Sequence, residues 1–197
     1  MPTAHQDFPK YFEVLSDTGL FTPWKGNVVR QAAPRWLSKP YRFTGVGSAL
    51  AGARWSARFL MPTVYASTHP DTLHAESYYK GRRYGWNPAD FKAQLIIGMR
   101  WEFQAVVDLT SPTILKALGV KKSDILGCDW DAEQRAGNEP MTQAIARAAF
   151  EHCAEGLVVP SARHSGGVNI VYYPPHRRDG SAIETLDEAN IPLLHGL

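Results

Sequence analysis

Residues 43–79 read FTGVGSALAGARWSARFLMPTVYASTHPDTLHAESYY and carry three side chains of complementary chemistry, Arg54, Tyr65 and Glu76, each eleven residues from the next. The glycines before Arg54 predict a loop, residues 63–67 predict a short strand, and the residues that follow predict a helix. Consecutive elements usually lie side by side in a fold. We therefore expect a cation, a phenol and a carboxylate to face one cleft.

Each of these three side chains also has an ordinary structural explanation. Arg54 can pair with a surface carboxylate, Tyr65 can fill the core, and Glu76 can cap or solvate its helix. The joint pattern is harder to explain in this way, because a simple scaffold needs no such polar set. It favours a binding or catalytic cleft.

The same stretch resembles the RES domain, a family named for an arginine, a glutamate and a serine. Three motifs carry the resemblance: the turn Gly52-Ala53-Arg54-Trp55, the strand Val64-Tyr65-Ala66-Ser67 and the helical pair Ala75-Glu76. The family pattern has a second glycine where this chain has Ala53.

The second half of the chain extends the resemblance. Motifs similar to those of the RES domain follow in the order Asp108-Leu109-Thr110, Leu118-Gly119-Val120, Thr142-Gln143-Ala144-Ile145-Ala146 and Val159-Pro160-Ser161-Ala162-Arg163. Each motif alone is weak, but their shared order is specific. The resemblance covers about residues 28–173.

Length and pattern predict a single α+β domain. The 197 residues suit one hydrophobic core, and short strands mix with short helices without regular βαβ alternation. The resemblance implies a fold similar to that of ADP-ribosyltransferases, with small mixed or antiparallel β-sheets flanked by short helices. We expect an N-terminal extension at residues 1–27, a RES-like catalytic domain at 28–175, and a C-terminal tail at 176–197 that packs on the domain or trails from it.

Local patterns place individual elements. Residues 27–30 and 104–109 read as strands, and residues 113–118 and 141–153 read as helices. Residues 127–140 are polar, with two glycines and a proline, which predicts a loop that could cover a site.

Composition is that of an ordinary soluble protein, with 44% hydrophobic residues, 20% charged residues and a net charge of +2. Because no block of lysines or arginines occurs, we expect no direct binding to nucleic acid. No apolar run of about 20 residues and no basic-then-apolar leader occurs, so we expect no membrane association. The two cysteines lack a CxxC spacing and are typical of a reducing compartment. We expect a cytoplasmic protein, with delivery as a secreted effector as the alternative.

The resemblance implies NAD⁺ as the substrate, and the residue types suit that substrate. Cleavage of the nicotinamide–ribose bond builds positive charge on the sugar, as in glycoside cleavage. Glu76 would stabilise that charge or bind the ribose hydroxyls, and Arg54 would bind the pyrophosphate through paired hydrogen bonds. Tyr65 would stack on nicotinamide or bond to the ribose, and Ser161 would bind a phosphate or position Glu76. We therefore predict Glu76, Tyr65 and Arg54 as catalytic residues, and Arg54, Tyr65 and Ser161 as part of the NAD⁺ site.

The resemblance also implies that the first conserved arginine of the family, upstream of Arg54, closes an early strand. Arg30, in Val29-Arg30-Gln31, follows an aliphatic strand. Arg42, in Tyr41-Arg42-Phe43, has the more similar neighbours but lies close to the glycine loop. Both stay open as residues that bind NAD⁺.

Other catalytic or metal sites are less well supported. Ser161 lacks the Gly-x-Ser-x-Gly elbow of a serine hydrolase. His69 and His74 lack the HExxH spacing of a zinc protease. We expect no metal cofactor.

From the resemblance we predict a toxin of a toxin–antitoxin pair that consumes NAD⁺ by cleaving the nicotinamide–ribose bond, as a glycohydrolase or a phosphorylase. Whether water, phosphate or a protein side chain accepts the ADP-ribose stays open. The resemblance further implies a cognate antitoxin with a helix-turn-helix, whose C-terminal segment blocks the active site. The alternatives are a protein mono-ADP-ribosyltransferase and a non-catalytic module that binds a nucleotide or a partner.

Overall fold

The computed structural model describes residues 2–32, 41–83, 85 and 95–186. Asn87 and Pro88, which together predict the start of a helix, lie outside these residues. The part of the predicted tail after residue 186 lies outside them as well.

The described residues form an α+β domain, as the sequence predicts. Its helices are α1 (Phe8–Leu15), α2 (Val46–Ala51), α3 (Pro70–Arg83), α4 (Pro112–Leu118), α5 (Lys122–Gly127), α6 (Trp130–Arg135) and α7 (Met141–Glu151). Its strands are β1 (Thr22–Ala32), β2 (Val64–Ser67), β3 (Leu95–Asp108), β4 (Gly156–Pro160), β5 (Val168–Tyr172) and β6 (Ala182–Thr185). Short 3-10 turns lie at Thr18–Leu20, Tyr41–Phe43 and Pro174–His176.

The strands form one mixed sheet in which five strands close into a ring. β1 pairs antiparallel with both β2 and β3, β2 pairs with β5, and β5 pairs with β4. A parallel pairing between β4 and β3 closes the ring, and β6 adds to β3 as a sixth strand. The sheet differs from the small sheets predicted, because β1 and β3 are both longer than expected and pair along their length from Thr22 to Ala32.

The two faces of the ring bury different residues, since successive side chains of a strand point to opposite faces. The inner face holds an apolar cluster to which all five strands contribute, through Val28, Ala66, Phe103, Val158 and Tyr172 among others. The outer face packs against α1, α4 and α7 in a larger cluster. The position of a side chain along its strand therefore decides whether it enters the ring or faces the helices.

Local signals explain why the short helix α4 forms where the sequence predicts it. Ser111 stands at the N-cap position, and Pro112 takes the first helical position, where its missing N–H costs no hydrogen bond. Gly119 ends the helix with a φ of 66°, a left-handed conformation that glycine adopts without strain.

The segment 127–140, predicted as a loop, contains a helix instead. The Asp129 side chain accepts a hydrogen bond from the Ala132 N–H at 3.2 Å and so caps α6. Asp131 and Glu133 add negative charge to the first turn, where the helix dipole favours it. The loop prediction was wrong because two glycines and a proline flank a helix of only six residues.

Both ends of the described chain contact the rest of the structure. α1 packs on α7, where the Phe12 and His152 rings lie 4.2 Å apart, and β1 begins before the predicted boundary at residue 27. Residues 182–185, predicted to belong to a tail, pair with β3 as strand β6. The division into extension, domain and tail stays a prediction. None of the helices in the described ranges combines the length and the apolar character that a bilayer span requires.

Candidate active site

A cavity of about 390 Å³ opens on the outer face of the ring, where α3 and α6 approach β2, β4 and β5. Arg54, Tyr65 and Glu76 all line this cavity. Ser161 lies beside them, since its hydroxyl bonds to Glu76. The volume is within the range of small-molecule sites.

Glu76 is held by one of its two carboxylate oxygens. Its Oε1 accepts a hydrogen bond from Ser161 Oγ at 2.6 Å and another from Asn169 Nδ2 at 3.2 Å. Its Oε2 has no hydrogen-bond partner among the described residues. Hydrogen bonds to a charged group are the stronger kind, so the two donors fix the side chain and leave Oε2 for a ligand.

Ser161 is oriented by the turn that follows β4. Its buried Oγ accepts hydrogen bonds from the backbone N–H groups of Arg163 and His164, both at 3.1 Å. Because these bonds occupy the acceptor side of the oxygen, the hydroxyl proton is directed to Glu76. Of the two roles expected for Ser161, this geometry favours the positioning of Glu76.

Asn169 connects Glu76 to the neighbouring strand. Ser67 and Asn169 are register partners in β2 and β5, and Ser67 Oγ donates to Asn169 Oδ1 at 2.7 Å. That bond orients the amide so that its NH₂ group points to Glu76. A chain of hydrogen-bonded side chains thus ties the carboxylate to the sheet.

Tyr65 presents a protonated hydroxyl. The Trp55 backbone N–H donates to the Tyr65 hydroxyl oxygen at 3.1 Å. Burial raises the pKa of Tyr65 above its usual value, against smaller opposing effects of the Trp55 bond and of Arg54. The phenol can therefore donate a hydrogen bond to a ligand at physiological pH, but it does not act as a base there.

Arg54 brings a cation into the cavity. Its Nη1 donates to the Ile125 carbonyl oxygen at 2.8 Å, and its other nitrogens have no hydrogen-bond partner among the described residues. Burial lowers the pKa of Arg54, and the nearby charge of Arg163 lowers it further, while Cys128 and Glu76 act in the opposite direction. An anionic ligand would relieve this cost of burying a cation.

The turn before Arg54 is fixed by one glycine and one glutamine. Gly52 has a φ of 73°, and a Cβ there would collide with the side chain of Gln134. The buried Gln143 donates from Nε2 to the Ala53 carbonyl oxygen at 2.8 Å and to Gln134 Oε1 at 2.9 Å. Since Gln143 belongs to α7, that helix sets the position of the turn that carries Arg54.

A sequence profile of the RES domain matches residues 27–193, which is most of the chain. The chain belongs to the RES domain family.

Two relatives of this RES domain are the proteins called NAD(+) phosphorylase MbcT in Mycobacterium tuberculosis and in Mycobacterium bovis. Each is 26% identical to it over 151 residues, which cover 69% of this chain and 72% of the relative. A crystal structure of the M. tuberculosis MbcT–MbcA toxin–antitoxin complex contains a chain with a similar fold. The match has a TM-score of 0.64 at 20% identity and covers 95% of this chain and 96% of that chain.

The cavity of the RES domain contains a second cation, Arg163. Its Cζ lies 3.2 Å from the centre of the Tyr79 ring, and both residues line the cavity. This distance is that of a cation–π stack. Arg163 follows Ser161 by two residues, so it lies on the same wall as the serine that holds Glu76.

Arg30 and Arg42, the two arginines expected to bind NAD⁺ together with Arg54, are not brought into this cavity of the RES domain. Neither Arg30 nor Arg42 is among the described residues that line the cavity, whereas Gln31 is. Because neighbouring residues of β1 alternate between faces, Arg30 points to the inner face of the ring. Burial lowers the pKa of Arg30 to about 10, with a further contribution from Arg42, and Arg42 donates to Thr185 Oγ1 at 3.1 Å.

The polar cavity residues of the RES domain that were not predicted include Gln31, Arg163 and Asn169. Arg163 ends the motif Val159-Pro160-Ser161-Ala162-Arg163, but nothing in the sequence alone assigns a ligand to its side chain. Because side chains alternate between the two faces of β1, Gln31 must point to the cavity side once its neighbour Arg30 is assigned to the inner face. A single polar residue in an apolar strand, such as Asn169, signals a buried hydrogen bond.

Other titratable groups near the cavity already have partners. His164 Nδ1 lies 2.8 Å from Thr72 Oγ1, and the Asp131 carboxylate pairs with Arg135 at 2.7 Å. The described ranges contain no group of three or more His, Cys, Asp or Glu side chains arranged to hold a metal ion. Among the described cavity residues, Glu76 is therefore the carboxylate that no basic side chain pairs with directly.

Proposed function

We propose that this RES domain protein is an NAD⁺-consuming toxin that breaks the nicotinamide–ribose bond and transfers the ADP-ribosyl group to inorganic phosphate. Both substrate and acceptor are those named in its relatives, the NAD(+) phosphorylases. The observation that carries the proposal is Glu76, whose Oε1 is fixed by two donors while its Oε2 has no partner among the described residues.

A carboxylate held in this way suits the bond that breaks. When the bond between the ribose C1 and the nicotinamide nitrogen separates, its electron pair moves to the ring, and positive charge develops on the sugar. A fixed negative charge stabilises that transition state more than it stabilises the ground state. Because Oε1 is already bonded, Oε2 can face the ribose without any rearrangement of the side chain.

The other cavity residues take the remaining tasks. Arg54 binds the pyrophosphate with the nitrogens that Ile125 does not occupy. Tyr65 stacks on the nicotinamide or donates to a ribose hydroxyl, and Ser161 keeps Glu76 in place. Arg30 and Arg42, which are not among the described cavity residues, remain candidates for binding the parts of NAD⁺ that extend beyond this cavity.

Turnover by the variant Glu76→Gln tests the assigned role. The substitution keeps the size of the side chain and removes its charge, so we expect kcat to fall by roughly 10²-fold or more. NAD⁺ loss and nicotinamide release would be followed together in purified protein. Glu13→Gln, at an exposed position of α1, is the matched control and should keep wild-type turnover.

Two results of that experiment would contradict the proposal. Near-normal turnover by a folded Glu76→Gln variant would remove Glu76 from the mechanism. No NAD⁺ loss by the wild type, with phosphate present, would instead favour a module that binds a nucleotide or a partner without turnover.

Product analysis separates the acceptors. Phosphorolysis yields ADP-ribose phosphorylated at the anomeric carbon, and hydrolysis yields ADP-ribose. We expect the phosphorylated product to dominate in phosphate buffer. Transfer of label from NAD⁺ to a protein band would support a mono-ADP-ribosyltransferase instead.

We also propose that a cognate antitoxin neutralises the protein by filling this cavity with a C-terminal segment, and that the antitoxin carries a helix-turn-helix. The toxin–antitoxin complex that contains the similar fold supports an antitoxin partner. NAD⁺ turnover should fall as antitoxin is added, and more NAD⁺ should restore it.

The remaining parts of the proposal concern the type of fold, the division into segments and the cellular compartment. The ring of strands with a cavity on its helix-facing side supports an ADP-ribosyltransferase-like fold. The RES-like unit at 28–175 would be flanked by the segments 1–27 and 176–197. A protein that consumes NAD⁺ and pairs with an antitoxin would act in the cytoplasm.

A further inference from the structure

Two guanidinium groups share the cavity with one unpaired carboxylate. Arg54 and Arg163 both line the cavity, and the charge of Arg163 is near enough to lower the pKa of Arg54. No carboxylate of the described residues lies within ion-pair distance of either guanidinium. Glu76 offsets one of these charges, and Asp131 is already paired with Arg135. The described lining of the cavity is therefore net cationic, which suits an anionic ligand, and it offers two separate guanidinium groups.

The position of Arg163 places it close to the reacting centre. Tyr79 follows Glu76 by three residues on α3, so the two side chains lie on the same side of the helix, about one turn apart. Arg163 stacks on the Tyr79 ring, and its backbone N–H bonds to the Ser161 oxygen that holds Glu76. Stacking occupies the face of a guanidinium and leaves the N–H groups at its edge free to bind an anion.

The reaction proposed above needs two separate anion sites. The pyrophosphate of NAD⁺ is attached through the ribose C5, whereas an acceptor phosphate must reach the ribose C1 on the side that nicotinamide does not occupy. The two anions repel each other at short range, so each requires its own cation.

We propose that Arg163, stacked on Tyr79, binds the inorganic phosphate that accepts the ADP-ribosyl group, while Arg54 serves the pyrophosphate. This inference rests on the function proposed above. A phosphate oxygen forms a bond to the ribose C1 as the bond from C1 to nicotinamide breaks. The electron pair of the broken bond neutralises the nicotinamide ring. The hydrogen phosphate dianion supplies the attacking oxygen, and no proton has to move.

Steady-state kinetics with phosphate and NAD⁺ varied independently test this site. In Arg163→Gln we expect the KM for inorganic phosphate to rise roughly tenfold or more, as expected for the loss of charged hydrogen bonds. The KM for NAD⁺ should change little. Arg163→Lys keeps the positive charge but lacks the planar guanidinium group. Its KM for inorganic phosphate should lie between those of the wild type and Arg163→Gln. Arg58→Gln is the matched control, because Arg58 also stacks on an aromatic ring, Phe59, but outside the cavity.

The ratio of products gives a second measurement that does not depend on how much of the variant is folded. At a fixed phosphate concentration, Arg163→Gln should shift the products from phosphorylated ADP-ribose toward free ADP-ribose. An unchanged ratio, or a rise in the KM for NAD⁺ alone, would overturn the assignment and place Arg163 with the dinucleotide or outside the site.

Measurements on the wild type distinguish a failure of this inference from a failure of the proposed function on which it rests. If wild-type turnover is independent of phosphate and yields only ADP-ribose, the phosphate site is wrong, while the cleavage of NAD⁺ stands. If the wild type does not consume NAD⁺ at all, the proposed function fails as well.

Discussion

At the scale of single residues, the feature that matters most is the way Glu76 is held. Fixing a glutamate side chain costs up to about 2 kcal/mol of rotamer entropy. Each hydrogen bond to its charged oxygen returns about 1.5–3 kcal/mol. Two such bonds, from Ser161 and Asn169, therefore outweigh the entropy cost. One bond alone roughly balances it.

Ser161 and Asn169 should consequently act together. We expect Ser161→Ala and Asn169→Ala each to lower kcat for NAD⁺ cleavage several-fold, and the double variant to lose more than the product of the two, because only then is Glu76 released. The KM for NAD⁺ should change less than kcat, since both side chains are already bonded to the carboxylate of Glu76. Ser165→Ala, at an exposed position in the same turn, is the control. Strictly multiplicative losses would show that the two residues do not hold one group in common.

Some residues of the candidate site could be predicted from the sequence, and others could not. Arg54, Tyr65 and Glu76 lie on consecutive parts of the chain, and all three line one cavity. Asn169 could not be found in this way, since its role depends on the pairing of β5 with β2, which brings it opposite Ser67. Arg30 shows the same limit, because the face to which it points depends on where β1 starts its alternation.

At the scale of elements, β4 is a fully buried strand that is packed tightly against its neighbours. It lies between β3 and β5, and all five of its residues are buried. At Gly156 the backbone of β5 comes so close that a Cβ would overlap the carbonyl oxygen of Val171. This close contact between the backbones of β4 and β5 fixes the position of the first residue of β4, the strand that ends next to Ser161.

A methyl group at Gly156 should therefore destabilise the whole domain. We expect Gly156→Ala to lower the free energy of unfolding by about 1–3 kcal/mol, as overpacking does, because backbone cannot move aside as a flexible side chain can. The measurement is the midpoint of urea denaturation at unchanged slope. Gly127→Ala, at the end of α5, is the control, since a Cβ there meets no atom within 4 Å. Equal stability of the two variants would contradict the close approach.

The elements that the sequence predicted well are those with local signals. The helix 113–118 carries its N-cap, its proline and its terminal glycine within a few residues, and α4 has nearly those bounds. The strands 27–30 and 104–109 were predicted too short, because much of β1 and β3 is stabilised by pairing with each other rather than by local pattern. The helix α6 does have a local signal, the N-cap residue Asp129. It was not predicted because the two glycines and the proline that flank it predict a loop more strongly.

At the scale of the whole molecule, the cavity is formed by several distant segments that only the closed ring brings together. Its residues come from the 51–55 turn, β2, α3, α6 and the β4–β5 region. A ligand that contacts all of these segments stabilises the folded state, because the unfolded chain cannot bind it.

NAD⁺ should thus raise the thermal midpoint of the inactive variant Glu76→Gln. At 100 times its dissociation constant, a ligand adds about 2.7 kcal/mol, which is roughly 5–10 °C for a domain of this size. The measurement is a thermal melt at increasing NAD⁺. Adding Arg54→Gln to the same variant should reduce the shift, since it removes the cation assigned to the pyrophosphate. A midpoint that does not respond to NAD⁺ would argue against this cavity as the dinucleotide site.

The hydrogen bonds that hold Glu76 come from residues that are synthesised long after Glu76 itself. Arg54, Tyr65 and Glu76 leave the ribosome early, whereas Ser161 and Asn169 come more than eighty residues after Glu76. A nascent chain that stops before Asn169 lacks both that donor and most of the strand that joins β2 to β4. If Glu76 performs the proposed cleavage, prematurely ended chains would be inactive, and the cell would meet an active enzyme only once almost the entire domain has been made.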